Sequence, residues 1–485
     1  MLALVPLIFM ACFLGGDPAM LGAQSSTGSQ ATTGPASMVR LSEALVGRWL
    51  GSLDVPRPDL GQGREQSEAF SLRILPEGFV LVDFPERNIF GFPAMPVTVR
   101  KGHFSFDLGA GKGLVHLEGG ATASSGGKAS LAGIVSQGGV DGTWRLFRSE
   151  RSPGYGRELD IAVPGGSLRG SLVLPQALAK CPLAILVSGS GRTDRDGNNY
   201  QVPGRNDSFL MLSAALSERG VASYRYDRRG VGESLALAPE ESSLRFGDEV
   251  ADLGAAVARL AADPRFSSIV LVGHSDGALV AASLLASSDR GIAAVRDRTG
   301  LAVLASGAQS ALETFQKAIA AAPEAERAEG EAILNTILAG GTWPHPSPYY
   351  ADFFRPSFQA YLTGWLNRDL KDLLPKVGAR LLLVQGDRDM QVELHDFMGL
   401  AAVRSDAPAL IIPDMNHVLK SVPDEVDANI SSFSKPGFPV AEGLVAAIVA
   451  FAEGENPPSD LVRVDGGATV PSKATGSIPT DGEGG

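Results

Sequence analysis

Gly273-His274-Ser275-Asp276-Gly277 is the stretch that decides how this chain is read. The apolar run Ile269-Val270-Leu271-Val272 leads into it, and an Ala/Leu-rich stretch from Ala278 to Leu285 leaves it. A strand, a tight glycine-flanked turn and a helix together project a serine hydroxyl from the edge of a sheet. With 58 glycines in 485 residues, the pentapeptide alone is a weak signal, and its weight comes from this setting. A serine hydroxyl is a poor nucleophile at neutral pH, so it needs a base in reach and an acid to orient that base.

His417 is the expected base. It lies in Pro413-Asp414-Met415-Asn416-His417, directly after the apolar run Ala409–Ile412, where a loop can carry it over Ser275. His274 neighbours the serine, but adjacent side chains in such a turn diverge. His345 lies in a Pro-rich insertion and His395 opens a helical pattern. The acid belongs just past the run Leu381–Val384, in Gln385-Gly386-Asp387-Arg388-Asp389. Asp387 and Asp389 compete there, and spacing alone does not choose. The chain order serine, acid, histidine differs from the orders of subtilisin-like and chymotrypsin-like enzymes. Stabilising an oxyanion takes two backbone N–H donors. Asp276, immediately after the serine, is one candidate. The other is Ser190, in the Ser188-Gly189-Ser190-Gly191 loop after the run Leu183–Val187. Read as a phosphate loop this segment fails, because no Gly-Lys-Ser/Thr follows.

Hydrophobic residues make up 44% of the chain and charged residues 20%, which allows a substantial core. The net charge of −12 argues against nucleic acid or an anionic membrane as the main partner. Two cysteines, Cys12 and Cys181, make no disulfide framework, and Cys181 reads as packing beside a buried strand. Residues 1–23 read as an export signal with cleavage after Ala23, so a periplasmic or secreted protein is expected. Lipid anchoring at Cys12 is the lesser alternative. No other apolar stretch is long enough to span a bilayer, so the mature chain is expected to be soluble.

Residues 24–37 form a Ser/Thr/Gly-rich linker. Over 38–150 short alternating strands predict a small antiparallel β-domain. Phe104, Phe106 and Leu108 alternate, as do Trp144 and Leu146, with turns expected at Gly119-Gly120, Gly126-Gly127 and Asp141-Gly142. His103 and His116 read as strand residues facing solvent. The β-domain carries no catalytic group, so a chain beginning near Arg157 is expected to keep hydrolysis. From Leu159 to Leu174 a hairpin turns at Pro164-Gly165-Gly166, and after it apolar runs alternate with helical patterns. That alternation predicts a mostly parallel sheet with helices on both faces over 157–453. An insertion at about 308–375 is long enough to cap the site. It holds eight aromatics in 23 residues, from Trp343 to Trp365, which either pack the cap or line an apolar acyl pocket. Residues 454–485 read as a disordered tail.

Two further segments carry a resemblance. Asp227-Arg228-Arg229-Gly230-Val231-Gly232-Glu233-Ser234 matches the D-x-R-G-x-G-x-S turn of α/β-hydrolases. The run Ser188-Gly189-Ser190-Gly191-Arg192-Thr193-Asp194-Arg195-Asp196-Gly197-Asn198 resembles the S-G-S-G-x-x-D-R-D-G-N loop of a group of bacterial carboxylesterases. That group includes serine aminopeptidase-like hydrolases, some with an N-terminal β-domain. The resemblance implies an α/β-hydrolase fold with an inserted cap, preceded by a small all-β domain. It also implies the acid in a G-x-x-D arrangement, which favours Asp389 over Asp387. The expected activity is hydrolysis of small or medium uncharged esters by Ser275, His417 and Asp389, with Ser190 and Asp276 as oxyanion donors and no metal or organic cofactor. A peptidase or acyltransferase on the same triad is the alternative within enzymes. An envelope binding protein that uses the β-domain is the alternative outside them.

Overall fold

The computed structural model describes residues 45–56, 65–94, 98–100, 103–108, 115–122, 129–149, 156–176, 180–458 and 461–463. The export segment, the linker, Cys12 and the turn expected at Gly126-Gly127 lie outside the described residues.

Among the described residues nine strands form the N-terminal sheet: β1 (Gly47–Pro56), β2 (Glu65–Ile74), β3 (Val80–Phe84), β4 (Ile89–Ala94), β5 (Thr98–Arg100), β6 (His103–Leu108), β7 (Val115–Thr122), β8 (Ser130–Gln137) and β9 (Val140–Ser149). Their order is β4-β3-β2-β1-β9-β8-β7-β6-β5, so each half is a meander and the first and last strands join them. Alternation puts Phe104, Phe106, Leu117, Trp144 and Leu146 inside, with Trp49, Phe70 and Leu72. Two expected turns are corrected. Gly119-Gly120 lies within β7 and Asp141-Gly142 within β9. Gly119 faces Gly133 across β7 and β8, and a Cβ on either would lie 2.3 or 2.6 Å from the Trp144 ring. These glycines open a slot for an indole rather than a turn. The β8–β9 turn is made by Gly138 and Gly139, both with positive φ (60° and 81°), as a two-residue hairpin requires.

The second sheet begins with antiparallel pieces: β10 (Arg157–Glu158) and β13 (Gly170–Val173), with a small hairpin of β11 (Ile161–Val163) and β12 (Gly166–Leu168) between them. Then come β14 (Cys181–Val187), α1 (Ser208–Glu218), β15 (Ala222–Tyr226), α2 (Phe246–Ala261), β16 (Phe266–His274), α3 (Asp276–Leu285), α4 (Arg290–Val295) and β17 (Thr299–Leu304). Four helices follow before the next strand: α5 (Ala311–Ala320), α6 (Glu324–Leu338), α7 (Pro356–Leu366) and α8 (Leu370–Leu373). The chain finishes with β18 (Arg380–Gly386), α9 (Leu394–Val403), β19 (Ala409–Ile412), α10 (Val426–Ser432), α11 (Glu442–Glu453) and β20 (Val462–Arg463). Sheet order is β10-β13-β15-β14-β16-β17-β18-β19-β20, with β14 to β19 parallel.

The parallel strands read as unbroken apolar runs because both faces are covered. Leu183, Ile185, Leu271 and Val303 pack with α2 and α3 on one side. Ala184, Leu186, Val272 and Leu304 pack with α1 and α11 on the other. The tail is not wholly without structure, since Val462 and Arg463 pair antiparallel with Ile411 and Leu410. Left bare, that edge of β19 would offer unpaired backbone groups, and Leu461 packs against the core on the same side.

Candidate active site

The elbow forms because its two glycines admit backbone where a side chain would not fit. A Cβ on Gly273 would lie 2.5 Å from the Ala278 Cα, and one on Gly277 would lie 2.2 Å from the Val187 carbonyl oxygen. Between them Ser275 takes φ 52°, ψ −127°, a conformation that costs about 1–3 kcal/mol in a residue other than glycine. Neighbouring groups hold it there. The Ser275 N–H donates to the Leu304 carbonyl (2.8 Å), and the Ser275 carbonyl accepts from Ala278 N–H (2.9 Å) and Ser306 Oγ (3.0 Å). The hydroxyl therefore stands at the C-terminal edge of the parallel strands, where ligands bind in open α/β sheets.

His417 comes from the loop after β19, which is shaped by a buried asparagine that sequence reasoning missed. Asn416 donates to Asn429 Oδ1 (2.9 Å) and Ser432 Oγ (2.6 Å), and its own side-chain oxygen accepts from Lys420 N–H (3.0 Å). His417 Nδ1 meets Asp389 Oδ2 at 2.9 Å, and both side chains are buried. A carboxylate only accepts, so Nδ1 carries the proton and Nε2 is left as the acceptor. Asp389 is fully committed. Its Oδ2 also accepts from Gln385 Nε2 (2.9 Å), and its Oδ1 accepts from the N–H groups of Gln391 (2.7 Å) and Val392 (2.9 Å). Burial pushes this carboxyl up, but His417 and the two backbone donors outweigh it and hold the pKa below the usual value. Asp387 instead accepts from Asp414 N–H (2.7 Å).

His274 does not simply diverge from the site. Its Nε2 sits 2.7 Å from the His417 carbonyl oxygen and its ring centroid 4.9 Å from that of His417. Burial, then the neighbouring His417, drive its pKa down to about 3, so it is neutral and donates to that carbonyl. A histidine before the serine was visible in the sequence, but its partner lies across the fold.

Ser190 lines the same cavity as Ser275, Asp276 and His417. Gly189 is pressed against the nucleophile, for a Cβ there would lie 3.1 Å from Ser275 Cβ. Arg228 donates to the Gly189 carbonyl, to Glu249 (2.5 Å) and to Tyr361 (3.1 Å). In a trans peptide the C=O and the following N–H point oppositely, so fixing the Gly189 carbonyl fixes the direction of Ser190 N–H. Among the described residues neither the Ser190 nor the Asp276 N–H donates to a backbone carbonyl. The Asp276 carboxyl is raised by burial, and Arg228, Ser190 and Trp365 offset only part of that. Trp365 Nε1 lies 3.3 Å from it and links the cap helix α7 to the elbow.

The cavity measures about 410 Å³ and runs between the strand ends and the helical insertion. Phe315, Leu279, Leu370 and Trp365 give it apolar wall, but Gln309, Thr314, Gln391 and Glu393 also line it. Of the eight aromatics from Trp343 to Trp365, Trp365 lines the cavity. Tyr350, Phe354 and Tyr361 are buried within the core instead. Trp343 is tied by its backbone to the Gln359 side chain (2.6 and 2.8 Å). Among the described residues no three His, Cys, Asp or Glu side chains cluster as metal ligands would.

The Asp194-Arg195-Asp196 segment is an ion-paired loop support. Buried Arg195 donates to Asp227 (2.6 Å) and Glu233 (2.9 Å), and Arg225 holds Asp196 (2.8 Å). Burial and the nearby Asp196 and Asp227 charges push Asp194 up to about 7.

The family model described as "Alpha/beta hydrolase family" matches residues 184–428. No curated protein matches the sequence. Among solved structures the chain is similar to Est1E from Butyrivibrio proteoclasticus at 16% identity, covering 61% of this chain and 99% of that one, with a TM-score of 0.39. It is similar to a thermophilic esterase from Thermogutta terrifontis at 18% identity, covering 61% and 98%, TM-score 0.36. The proline iminopeptidase of Mycobacterium smegmatis stands at 17% identity, covering 61% and 98%, TM-score 0.38.

Proposed function

The chain belongs to the alpha/beta hydrolase family, and from that premise we propose that it is a serine hydrolase cleaving carboxylic esters through an acyl-enzyme. One observation carries the reading: His417, held by buried Asp389, and the strained Ser275 line a single cavity. Ser275 Oγ attacks the ester carbonyl while its proton passes to His417 Nε2. Asp389 keeps the proton on Nδ1 and stabilises the imidazolium that forms. The oxyanion takes hydrogen bonds from the N–H groups of Ser190 and Asp276. Collapse expels the alcohol, which takes the proton back from Nε2. Water then repeats the sequence on the acyl-serine and releases the acid. A cavity of about 410 Å³ with mixed walls suits small or medium acyl groups.

The test is an ester and peptide panel on the wild type and Ser275→Ala. The expected result is hydrolysis of small esters, fluorophosphonate labelling of the wild type, and a fall of about 10⁶ in kcat for the variant. An alanine variant that still labels and turns over removes the proposal. Release of amino acids from peptides in preference to ester cleavage would move the activity to a peptidase on the same residues.

A further inference from the structure

The segment 188–207 carries Ser190 at one end and reaches the β-domain at the other. Its two limbs are stapled together. Tyr200 N–H donates to the Arg192 carbonyl (3.1 Å), Thr193 bridges to Asn199, and Thr193 Oγ1 donates back to the Ser190 carbonyl (3.0 Å). Gly191, with φ 76°, sits so close to the far limb that a Cβ there would lie 2.9 Å from Asn199 Nδ2.

The far limb is held by the other domain. A Cβ on Gly91 of β4 would lie 2.6 Å from the Tyr200 hydroxyl oxygen and 3.0 Å from Arg73 Nη2 of β2. Gly204 N–H donates to the Asn88 carbonyl (3.0 Å), and the Arg205 guanidinium lies 5.5 Å from the Phe90 ring centre. Glu233, which holds Arg195 of the loop through Oε2, uses Oε1 to pair with Arg48 of β1 and lies 3.8 Å from Arg73. Asp83 of β3 in turn fixes Gly91 N–H (2.6 Å) and faces Arg73 (3.4 Å).

We propose that the N-terminal β-domain is a working part of the active site, bracing Tyr200 so that the Ser190 N–H keeps its aim at the oxyanion. Tyr200 is then a positioning residue acting through the Arg192–Thr193 limb. This rests on the reading of Ser190 as an oxyanion donor. It reverses the expectation that a chain beginning near Arg157 keeps hydrolysis, because such a chain lacks Gly91, Asn88, Arg48 and Arg73.

The β-domain touches the loop, Glu233 and Arg169 but lines no part of the cavity, so the effect is expected on the transition state and not on substrate binding. Among the described residues the Tyr200 hydroxyl is enclosed with no hydrogen-bond partner, and a Cβ on Gly91 would lie 2.7 Å from the ring carbon Cζ, so what the loop uses is the ring. Tyr200→Phe should therefore behave as wild type.

The experiment compares full-length wild type, Tyr200→Ala, Tyr200→Phe and Arg48→Met on one activated ester, with active sites titrated by fluorophosphonate end-point labelling. A boronic acid serves as the tetrahedral mimic and the product carboxylic acid as the ground-state mimic. For Tyr200→Ala the expected result is a fall in kcat of about thirtyfold with KM within twofold of wild type. That is less than the loss of about 10²–10³ expected when a donor is removed outright. Boronate affinity should fall by the same factor as kcat and product affinity should not. Tyr200→Phe should stay within twofold, and Arg48→Met should lose about threefold in kcat. A folded Tyr200→Ala with wild-type kcat and boronate affinity overturns the inference while leaving the esterase reading intact. Should Tyr200→Ala not fold, unchanged kcat and boronate affinity in Arg48→Met overturns it equally. A wild type inert to esters and to fluorophosphonate overturns both.

Discussion

Replacing Asp389 by asparagine tests the geometry of the base most sharply, because the hydrogen bonds around it dictate how the amide must sit. Oδ1 faces two backbone donors, Gln391 N–H and Val392 N–H, while Oδ2 faces His417 Nδ1 and Gln385 Nε2. The single carbonyl oxygen of asparagine will stay with the two backbone N–H groups, which cannot become acceptors, whereas on the other side the imidazole can change tautomer and the Gln385 amide can flip. Its NH₂ then points at His417 Nδ1, which can meet it only by giving up its proton. The imidazole shifts to the tautomer with the proton on Nε2, which cannot accept from Ser275. The expected loss is about 10⁴ in kcat, or roughly 5.5 kcal/mol, with the fold retained. Asp387→Asn keeps an acceptor for Asp414 N–H and should lose about tenfold or less. Both variants are to be assayed on one soluble ester, with circular dichroism to verify folding. A folded Asp389→Asn within tenfold of wild type would refute the tautomer argument, and a large loss confined to Asp387→Asn would move the acid.

Arg228→Lys keeps a charge beside Glu249 but cannot reach Glu249, Tyr361 and the Gly189 carbonyl together as the planar fork does. It should lower kcat about tenfold at constant KM, and an unchanged kcat would detach Arg228 from the oxyanion loop. Trp365→Ala should alter acyl chain-length preference by about 1–3 kcal/mol, while Trp343→Ala, off the cavity wall, should not. Equal effects on the kcat/KM profile across acetyl to octanoyl esters would contradict that division. His274 is neutral in the folded protein down to about pH 3, whereas in the unfolded chain it takes up a proton near pH 6.5. Stability it contributes is thus complete above about pH 6.5 and is lost as pH falls toward 3, at up to about 1.4 kcal/mol per unit. Urea melts of His274→Asn should show a slope shallower by one proton over that window, and parallel curves would count against a partly buried, neutral imidazole.

How far the fold could be read follows from where each signal lives. The elbow and the parallel runs were legible because they depend on neighbours in the chain: glycines flanking Ser275, and apolar residues that alternate between two covered faces. Gly119-Gly120 misled because its cause, the Trp144 ring, reaches it across the sheet. A glycine pair that makes room for an indole looks the same in sequence as one that turns. Asp387 and Asp389 sit two apart in one loop, and the choice between them is made by which way the turn presents Gln391 and Val392 N–H. Arg228 and Arg229 are adjacent in a motif already singled out. Yet one reaches the Gly189 carbonyl and the other Asp252 and Pro164, a division set by the chain's direction on leaving β15. The aromatics of the insertion were visible, but which of them face a cavity depends on how the four helices pack. The link between the β-domain and Tyr200 left no local trace, because it is made by backbone contacts and by charges distant in sequence.

The central claim is that catalysis passes through an acyl group on Ser275. The direct measurement is rapid-quench mass spectrometry after mixing the enzyme with excess p-nitrophenyl ester. The account predicts a burst of nitrophenol equal to the titrated sites and an acyl adduct confined to the peptide containing Ser275, both lost in Ser275→Ala. Hydrolysis at full rate with no adduct, or an adduct on another side chain that survives in Ser275→Ala, would contradict it.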